Sequence, residues 1–301
     1  MPPIPSLPVW PLAPGRSLAL DRPRILAILN VTPDSFSDGG ELTTARAAAV
    51  RAGELAAEGA DALDVGGEST RPGAQRVDER EQVRRVVPAV RAIRDAGIDL
   101  PITVDTTRAA VAAAALDAGA DAINDVSGAT EDPELLPVAA SRRRGVILMH
   151  RLRPPDADRY SDRYGAPPDY SAAGGVVPAV ESALAGMLAR AAAAGIEPPR
   201  VVLDPGLGFG KSVEQNLELI AALPAMQSRL GAAVLSAASR KSFVGRVSGV
   251  GEPARRVAGS IAIAVAHALA GVRLFRVHDV RPHREALETA FAIARAAPAD
   301  A

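Results

Sequence analysis

Short apolar runs alternate along this chain with longer stretches in which charged residues recur at helical spacing. Runs of four or five mostly apolar residues are typical of strands covered on both faces. They lie at residues 25–29, 61–65, 101–104, 120–123, 146–149, 200–203, 232–235 and 272–275. Predicted helices follow at 43–59, 78–96, 107–118, 133–143, a stretch ending near 194, 214–223, 253–270 and 282–296.

Strict alternation of strand and helix through eight units favours an α/β fold, a single (β/α)8 TIM barrel, over a doubly wound sheet. The predicted barrel domain covers residues 24–297. The Pro-rich residues 1–23 form a short N-terminal extension that we expect to cap the bottom of the barrel. Residues 151–177 form a connection longer than an ordinary loop and contain all three Tyr. A lid, a partner contact and disorder are all compatible with its sequence.

Composition excludes several classes of function. A net charge of -1 and a pI near 6.5 give no basic surface for nucleic acid or membrane. With no Cys, the chain has no disulfide, thiolate nucleophile or Cys-ligated metal, and four His disfavour a zinc site. The N-terminus lacks a signal-peptide pattern, and the most apolar segment, 257–271, is too short to span a bilayer. We therefore expect a soluble cytoplasmic protein.

In such a barrel the active site lies at the carboxyl ends of the strands, and polar residues collect there. The first strand ends at Asn30 and enters a polar, glycine-rich loop that contains Phe36. We expect this loop to be a mobile flap, with Asn30 at its root and Phe36 closing over substrates. Asn30 and Asp34 offer oxygen ligands of the kind that Mg²⁺ accepts.

Two carboxylates and an amide end other strands. Asp105, Asn124 and Asp204 are able to accept and donate parallel hydrogen bonds along the edge of a planar, nitrogen-rich ring. The alternative for either Asp is an N-cap of the following helix. Because Pro205 follows Asp204 directly, that alternative is weaker there.

Cations gather after the seventh and eighth strands, where barrels often bind phosphate. Lys241 follows the seventh strand, and Arg276 and His278 lie two residues apart, so they project to the same side of an extended segment. The alternative is a surface pair that stabilises a loop. The chain has only two Lys, Lys211 and Lys241, and three Asn, so a retained Lys indicates a need for a compact amine.

The glycine-rich segment 206–211 resembles a phosphate loop but lacks Walker A spacing, and it is equally compatible with close approach of backbone to a ligand. Three of five Phe lie in strand-end loops, which indicates ring stacking on a flat substrate: Phe36, Phe209 and Phe243. With no evident nucleophile, the pattern suits transfer from a diphosphate ester of a planar ring.

Five motifs in order resemble those of the dihydropteroate synthase family of folate biosynthesis. They are residues 30–40 (NVTPDSFSDGG), 64–73 (DVGGESTRPG), 204–211 (DPGLGFGK), 239–243 (SRKSF) and 276–279 (RVHD). The resemblance implies a usually dimeric (β/α)8 barrel. It also implies Mg²⁺-dependent condensation of 6-hydroxymethyl-7,8-dihydropterin diphosphate with 4-aminobenzoate, giving dihydropteroate and pyrophosphate.

The resemblance also implies roles for individual residues. Lys241, Asp105, Arg276 and His278 would carry the catalytic work. The pterin would be held by Asp105, Asn124, Asp204 and Lys241, with Met149 against its face, and the diphosphate and Mg²⁺ by Asn30, Arg276 and His278. The aminobenzoate, for which sulfonamides compete in this family, would lie among Thr70, Arg71, Pro72, Phe209 and Ser242.

The chain departs from the family pattern at two places. Ala237 stands where the family usually has Gly, and Arg151 follows Met149-His150 where the family often has Asn or a Gly- or Pro-containing turn. Two alternatives therefore stay open: a non-catalytic pterin-binding paralogue, and a methyltransferase barrel acting on methyltetrahydrofolate. The second would have no need for a diphosphate grip by Arg276 and His278.

Overall fold

The computed structural model describes residues 9–31 and 41–296. Eight parallel strands, β3 to β10, close into a barrel in chain order, with β10 hydrogen-bonded back to β3. A separate antiparallel pair, β1 and β2, precedes them. The strands are β1 Val9–Ala13, β2 Arg16–Ala19, β3 Arg24–Asn30, β4 Ala62–Gly66, β5 Ile102–Asp105, β6 Ala122–Asp125, β7 Gly145–Met149, β8 Val201–Asp204, β9 Ala233–Ser236 and β10 Leu274–Val277.

Helices surround the barrel and confirm the predicted fold class. They are α1 Glu41–Ala57, α2 Glu79–Asp95, α3 Ala109–Asp117, α4 Leu135–Ser141, α5 Val176–Ala193, α6 Val213–Leu230, α7 Ser242–Ser248, α8 Val257–Leu269 and α9 Val280–Ala296. The prediction that the sixth helix ends at 223 was wrong. It continues past Pro224 and ends only where Gly231 adopts a left-handed conformation, with φ 61°. The short α7, inside a strand-end loop, was not predicted.

Side-chain alternation explains why the strand sequences are apolar on both faces. In β3, Ile25, Ala27 and Leu29 face outward and pack beneath the helices, whereas Leu26 faces into the barrel. Leu26 meets other inward-facing side chains, including Ile147 and Leu274. Each fully buried aliphatic side chain of this kind stabilises the fold by about 1.5–3 kcal/mol.

The N-terminal hairpin of β1 and β2 closes the amino-terminal end of the barrel, where the extension was expected to lie. Trp10 is completely buried and packs with the inward-facing barrel residues. Its indole N–H donates to the carbonyl of Arg200, 3.0 Å away and just before β8. A Cβ on Gly145, the first residue of β7, would lie 2.8 Å from the Pro11 carbonyl, so the hairpin backbone fits only against glycine. Residues 1–8 of the extension lie outside the described part.

By length and composition, one helix in the described ranges is apolar enough to cross a membrane: α5, with a mean hydropathy of 1.3. The segment 257–271, judged most apolar from sequence, contains only the shorter helix α8. One face of α5 is buried through Val180, Leu184 and Met187, and its Arg190 donates to the Gly128 carbonyl at 2.8 Å. These contacts place α5 among the outer helices of the barrel.

Candidate active site

One side-chain parity accounts for the polar residues at the carboxyl ends of the strands. In β5, Ile102 and Val104 face the helices, so Thr103 and Asp105 face into the barrel. The same alternation holds on the neighbouring strands. Inward parity at or just beyond the strand ends is shared by Asn30, Asp105, Asn124, Met149, Asp204, Ala237, Arg276 and His278.

A buried acid–guanidinium cluster lies just below the mouth. Arg276 Nε donates to Asp64 Oδ2 at 2.6 Å, and its Nη2 donates to Asp105 Oδ2 at 2.8 Å. Asn124 Nδ2 also donates to Asp64 Oδ2, at 2.9 Å. Asp64 begins the 64–73 motif but was not predicted as a site residue. An Asp at inward parity inside an otherwise apolar strand was the signal for it.

Asp105 keeps one oxygen free for a ligand. Its Oδ1 is buried and has no hydrogen-bond partner among the described residues. Burial raises the pKa of Asp105, and the adjacent Arg276 guanidinium opposes that shift. The N-cap alternative fails here, because Arg108 occupies the N-cap position of α3 and has no side-chain cap. An N–H donor on a bound ring would satisfy the free oxygen.

Asp204 and Met149 lie side by side at the ends of β8 and β7. Asp204 Oδ1 accepts the Gly206 N–H at 2.7 Å, which fixes the turn after β8. Met149 is buried in a small apolar cluster with Val126 and Phe209. This sulfur-containing, aromatic surface beside a carboxylate suits the face of a flat ring.

Lys241 lies over the aromatic ring of Phe209, with Nζ 3.9 Å from the ring centroid. Burial lowers the pKa of Lys241 to about 8, so the amine is still mainly charged at neutral pH. Phe209 lines the cavity, as expected. The same prediction for Phe243 was wrong, because that ring is completely buried in the core beneath the helices. Phe36 lies outside the described residues.

His278 is neutral and is held through its backbone N–H and its Nδ1 by one side chain, Ser239. Ser239 Oγ accepts the His278 backbone N–H at 3.2 Å and lies 3.1 Å from Nδ1 of the same residue. In the tautomer in which Ser239 donates its hydroxyl proton to Nδ1, the Nε2–H is left to donate to a ligand. Burial and the nearby Arg276 lower the pKa of His278 to about 3. With Nε2 protonated, His278 offers a hydrogen-bond donor without a charge.

The glycine-rich loop after β8 is held by its own protein contacts. Its amides donate to side chains: Gly208 N to Asn216 Oδ1 at 2.6 Å and Gly210 N to Asp158 Oδ2 at 2.8 Å. Lys211 is completely buried, and its Nζ donates to the carbonyls of Gly206 and Phe209. Neither these amides nor the Lys211 amine turn toward a phosphate, so the resemblance to a phosphate loop does not extend to its chemistry.

The long connection after β7 is a packed wall, which excludes disorder among the three alternatives. The Tyr170 hydroxyl donates to the Gly210 carbonyl at 2.8 Å, on the glycine-rich loop. The Ser161 N–H donates to Ser242 Oγ at 3.1 Å, at the start of α7. These bonds fix residues 160–163 against the rim of the site.

A cavity of about 330 Å³ opens between these elements. It brings together residues predicted to bind the amine and the diphosphate, whereas Asp105, Asn124, Met149 and Asp204 lie deeper. Its lining includes Asn30, Thr70, Arg71, Pro72, Tyr160, Asp162, Arg163, Phe209, Ala237, Lys241, Ser242, Arg276 and His278. Tyr160, Asp162 and Arg163 were not predicted, since they come from the long connection.

The predicted metal ligand, Asn30, lies at the end of β3 and lines the cavity. Its partner in that prediction, Asp34, lies outside the described residues. Across residues 9–31 and 41–296, no group of three His, Asp or Glu is arranged to hold a metal ion.

Comparison with known proteins identifies the family. A family profile described as "Pterin binding enzyme" matches residues 26–278. Dihydropteroate synthase of Synechocystis is 39% identical over 274 residues, covering 91% of both chains.

Solved structures agree. Dihydropteroate synthase of Xanthomonas albilineans with 4-aminobenzoic acid superposes with a TM-score of 0.85 at 44% identity, over 97% of this chain and 99% of that one. The Yersinia pestis enzyme with a sulfonamide drug complex gives 0.82 at 39% identity, over 94% and 98%. The chain therefore belongs to the pterin-binding enzyme family, and these relatives within it are dihydropteroate synthases.

Proposed function

We infer that this chain is a dihydropteroate synthase. It condenses 6-hydroxymethyl-7,8-dihydropterin diphosphate with 4-aminobenzoate to give 7,8-dihydropteroate and pyrophosphate in folate biosynthesis. One observation carries the proposal: a buried carboxylate with a free oxygen, Asp105, lies directly beneath the cations that face the cavity. A ring that bears both N–H donors and a diphosphate would bind the Asp105 oxygen with the donors and the cations with the diphosphate.

The pterin occupies the deep end of the site. Asp105 Oδ1 accepts a ring N–H, and Asn124 and Asp204 complete the polar edge. The cluster of Met149, Val126 and Phe209 supplies an apolar surface for one face of the pterin. Lys241, which lies over the Phe209 ring, contacts the pterin from the same side as Phe209.

The diphosphate lies at the cationic wall, the side of the cavity lined by Arg276 and Lys241 with His278 beside them. Arg276 supplies charge there, and the His278 Nε2–H supplies a neutral donor. Asn30, which lines the cavity, would hold Mg²⁺ together with diphosphate oxygens, because its amide oxygen is a ligand of the kind that Mg²⁺ accepts. When bound there, Mg²⁺ would supply charge neutralisation for the pyrophosphate leaving group.

The aminobenzoate occupies the outer part of the cavity, among Thr70, Arg71, Pro72, Phe209 and Ser242. Ser242 Oγ already accepts the Ser161 N–H, so its hydroxyl proton is free to donate to the substrate carboxylate. Sulfonamides that mimic the amine would compete for this part of the cavity.

The site contributes position and electrostatics. The C–O bond between the pterin methylene and the diphosphate breaks first, because the electron-rich pterin stabilises positive charge on that carbon. Arg276, Lys241 and the His278 donor stabilise the pyrophosphate that leaves. The amine of 4-aminobenzoate then forms the C–N bond and loses a proton to water. Holding the amine against the methylene lowers the entropic part of the activation free energy for forming the C–N bond.

Pyrophosphate release tests this function and its alternatives. It should require both substrates together and Mg²⁺, and neither substrate alone should give turnover. Tight binding of the pterin diphosphate without release would instead identify a non-catalytic paralogue. Methyl transfer from methyltetrahydrofolate to a corrinoid protein would identify the methyltransferase, for which the Arg276 and His278 wall has no use.

We also propose a homodimer and a cytoplasmic location. Outward-facing residues of α8 form an apolar stripe of Ala258, Ala262, Ala266 and Leu269 that suits contact with a second copy. Light scattering should give twice the 31.0 kDa chain mass, and Ala262→Glu should return it to one chain. A diphosphate ester does not cross a bilayer unaided, so the enzyme acts in the compartment that makes its substrate.

A further inference from the structure

Glu131, in the loop after β6, joins the loops that follow four neighbouring strands. Arg76, from the loop after β4, donates to both of its oxygens, with Nη1–Oε1 at 2.8 Å and Nη2–Oε2 at 2.6 Å. Thr107, after β5, donates its hydroxyl to Oε2 at 2.6 Å. Arg151, after β7, donates to Oε1 from a side chain that is 6% exposed. One carboxylate thus accepts hydrogen bonds from three other strand-end loops.

The loop anchored by Arg76 carries Thr70, Arg71 and Pro72 into the cavity. The other bonds of this loop hold mainly its two ends, where Arg85 donates to the Gly67 carbonyl at 2.9 Å and Gln82 donates to the Val77 carbonyl at 3.0 Å. Glu68 Oε1 accepts the Val77 N–H at 2.7 Å and closes its base, and the Gly73 N–H donates to the Pro155 carbonyl at 2.8 Å. Arg76 lies between two carboxylates: it donates two hydrogen bonds to Glu131, whereas Glu68 Oε1 lies 3.2 Å from Nε without accepting one. Charged pairs with two bonds are the stronger and more directional kind.

Glu131 remains charged at any practical pH. Burial raises the pKa of Glu131, but hydrogen bonds from Arg76 and Thr107 outweigh burial and bring that pKa down to about 2. The junction is therefore a permanent ion pair rather than a pH-dependent switch.

We propose that Glu131 is a positioning residue for the amine substrate: it sets the position of residues 67–78 and thereby of the aminobenzoate-binding wall. The proposal rests on the proposed function. Arg151, the departure from the family pattern after β7, has its place in this junction, because it ties the β7 connection to the same carboxylate. Glu131 has no place in the lining of the cavity, so it acts through the loop.

Glu131→Gln tests the proposal, because it keeps the shape of the side chain and removes its charge. We expect KM for 4-aminobenzoate to rise roughly tenfold, with kcat and KM for the pterin diphosphate within about twofold of the unmodified enzyme. Arg76→Gln should have the same effect, and the double variant should be no worse than either single one. Glu181→Gln, which removes an equally close pair with Arg229 between α5 and α6, is the matched control and should change none of these constants.

Hydrogen exchange separates this proposal from the proposed function. In Glu131→Gln, amides in residues 67–78, including Gly73 and Val77, should exchange faster, whereas those of β9 should not. An unmodified enzyme without pyrophosphate release would overturn the proposed function alone. An active enzyme in which Glu131→Gln leaves both the amine KM and this exchange unchanged would overturn the positioning role.

Discussion

Arg276 Nη2 lies 2.8 Å from Asp105 Oδ2, so the cationic wall contacts the acidic floor of the site, which consists of the buried carboxylates Asp64 and Asp105. Asp64 accepts the other side of the same guanidinium at 2.6 Å. Because Asp64 is also held by Thr103 and Asn124, it fixes where Arg276 lies, while Asp105 retains a free oxygen. The pair therefore connects recognition of the ring to recognition of the diphosphate.

Arg276→Ala should weaken binding of the pterin diphosphate far more than binding of the pterin alcohol, because the diphosphate loses a direct contact with the cation, whereas the alcohol loses only the effect of Arg276 on Asp105. Isothermal calorimetry with both ligands measures the difference. We expect a loss of about 2–5 kcal/mol for the diphosphate, typical of removing one member of a buried charge pair. Equal losses for both ligands would show that Arg276 serves only to neutralise the floor.

The Asp105 carboxylate supplies a second readout of the same contact. Burial already raises the pKa of Asp105, and Arg276 is the main group that lowers it. In Arg276→Ala the carboxyl should stay protonated to a higher pH. Because only the ionised carboxylate accepts the ring N–H, the affinity for the pterin alcohol should reach its maximum at a higher pH than in the unmodified enzyme. A pterin-alcohol affinity with an unchanged pH profile would contradict this coupling.

Lys241 should give the enzyme an alkaline limit. Burial lowers the pKa of Lys241 to about 8, so its charge is present below that pH and is lost above it. We expect kcat/KM for the pterin diphosphate to fall as pH rises through about 8. No acidic limb from His278 should appear near pH 6.5, since its pKa lies at about 3.

Variants of Lys241 check the assignment. Lys241→Ala should reduce turnover at least roughly tenfold without unfolding the protein, since the loss of a charge that stabilises the leaving group acts on the rate. Lys241→Arg should retain part of the activity and lose the alkaline limb, because a guanidinium stays charged. An alkaline limb that persists in Lys241→Arg would assign it to another group.

Strand parity made much of the site predictable. Apolar runs located the eight barrel strands. Asp105, Asn124, Asp204 and Arg276 each follow such a run at inward parity and converge as the sequence indicated, whereas Ser236 follows another run and faces outward to His267. Loop conformations follow no such period. The Tyr160 to Arg163 wall and the Glu131 junction depend on hydrogen bonds between residues far apart in sequence. Phe243 was misplaced because its position in the helix α7, not its neighbours in sequence, turns it into the core.

Ala237 should reveal how closely the cavity fits the pterin. Its methyl group is buried, lines the cavity and follows β9 at inward parity. Its φ is not positive, so a glycine has no conformational advantage there. Because Ala237→Gly removes a methyl group from the cavity, it should tighten pterin diphosphate binding a few-fold. Because glycine is more flexible in the unfolded chain, the same change should cost about 0.5–1 kcal/mol of stability. Ala237→Val should weaken binding; equal affinities for Gly, Ala and Val would show that the ring does not approach this position.

Lys211 should make stability rise with pH. Burial lowers the pKa of Lys211 to about 7 from an ordinary 10.5, so between these values the unfolded chain binds more protons than the folded one. By linkage, its contribution grows as pH increases through that window, by at most about 1.4 kcal/mol per pH unit. Lys211→Met keeps an unbranched side chain only one atom shorter and removes the amine, so the free energy of unfolding of this variant should lack the rise.

Urea unfolding of both proteins at pH 7, 8 and 9 measures the difference between their pH slopes. Lys241→Met is the matched control, because the pKa of Lys241 lies at about 8 and its contribution should begin one unit higher. Parallel slopes for the unmodified protein and Lys211→Met would mean that Lys211 titrates normally. The bonds from Lys211 to the Gly206 and Phe209 carbonyls would then offset the cost of burying the charged amine. The loop that carries Phe209 would in that case be held by a charged lysine rather than by a neutral one.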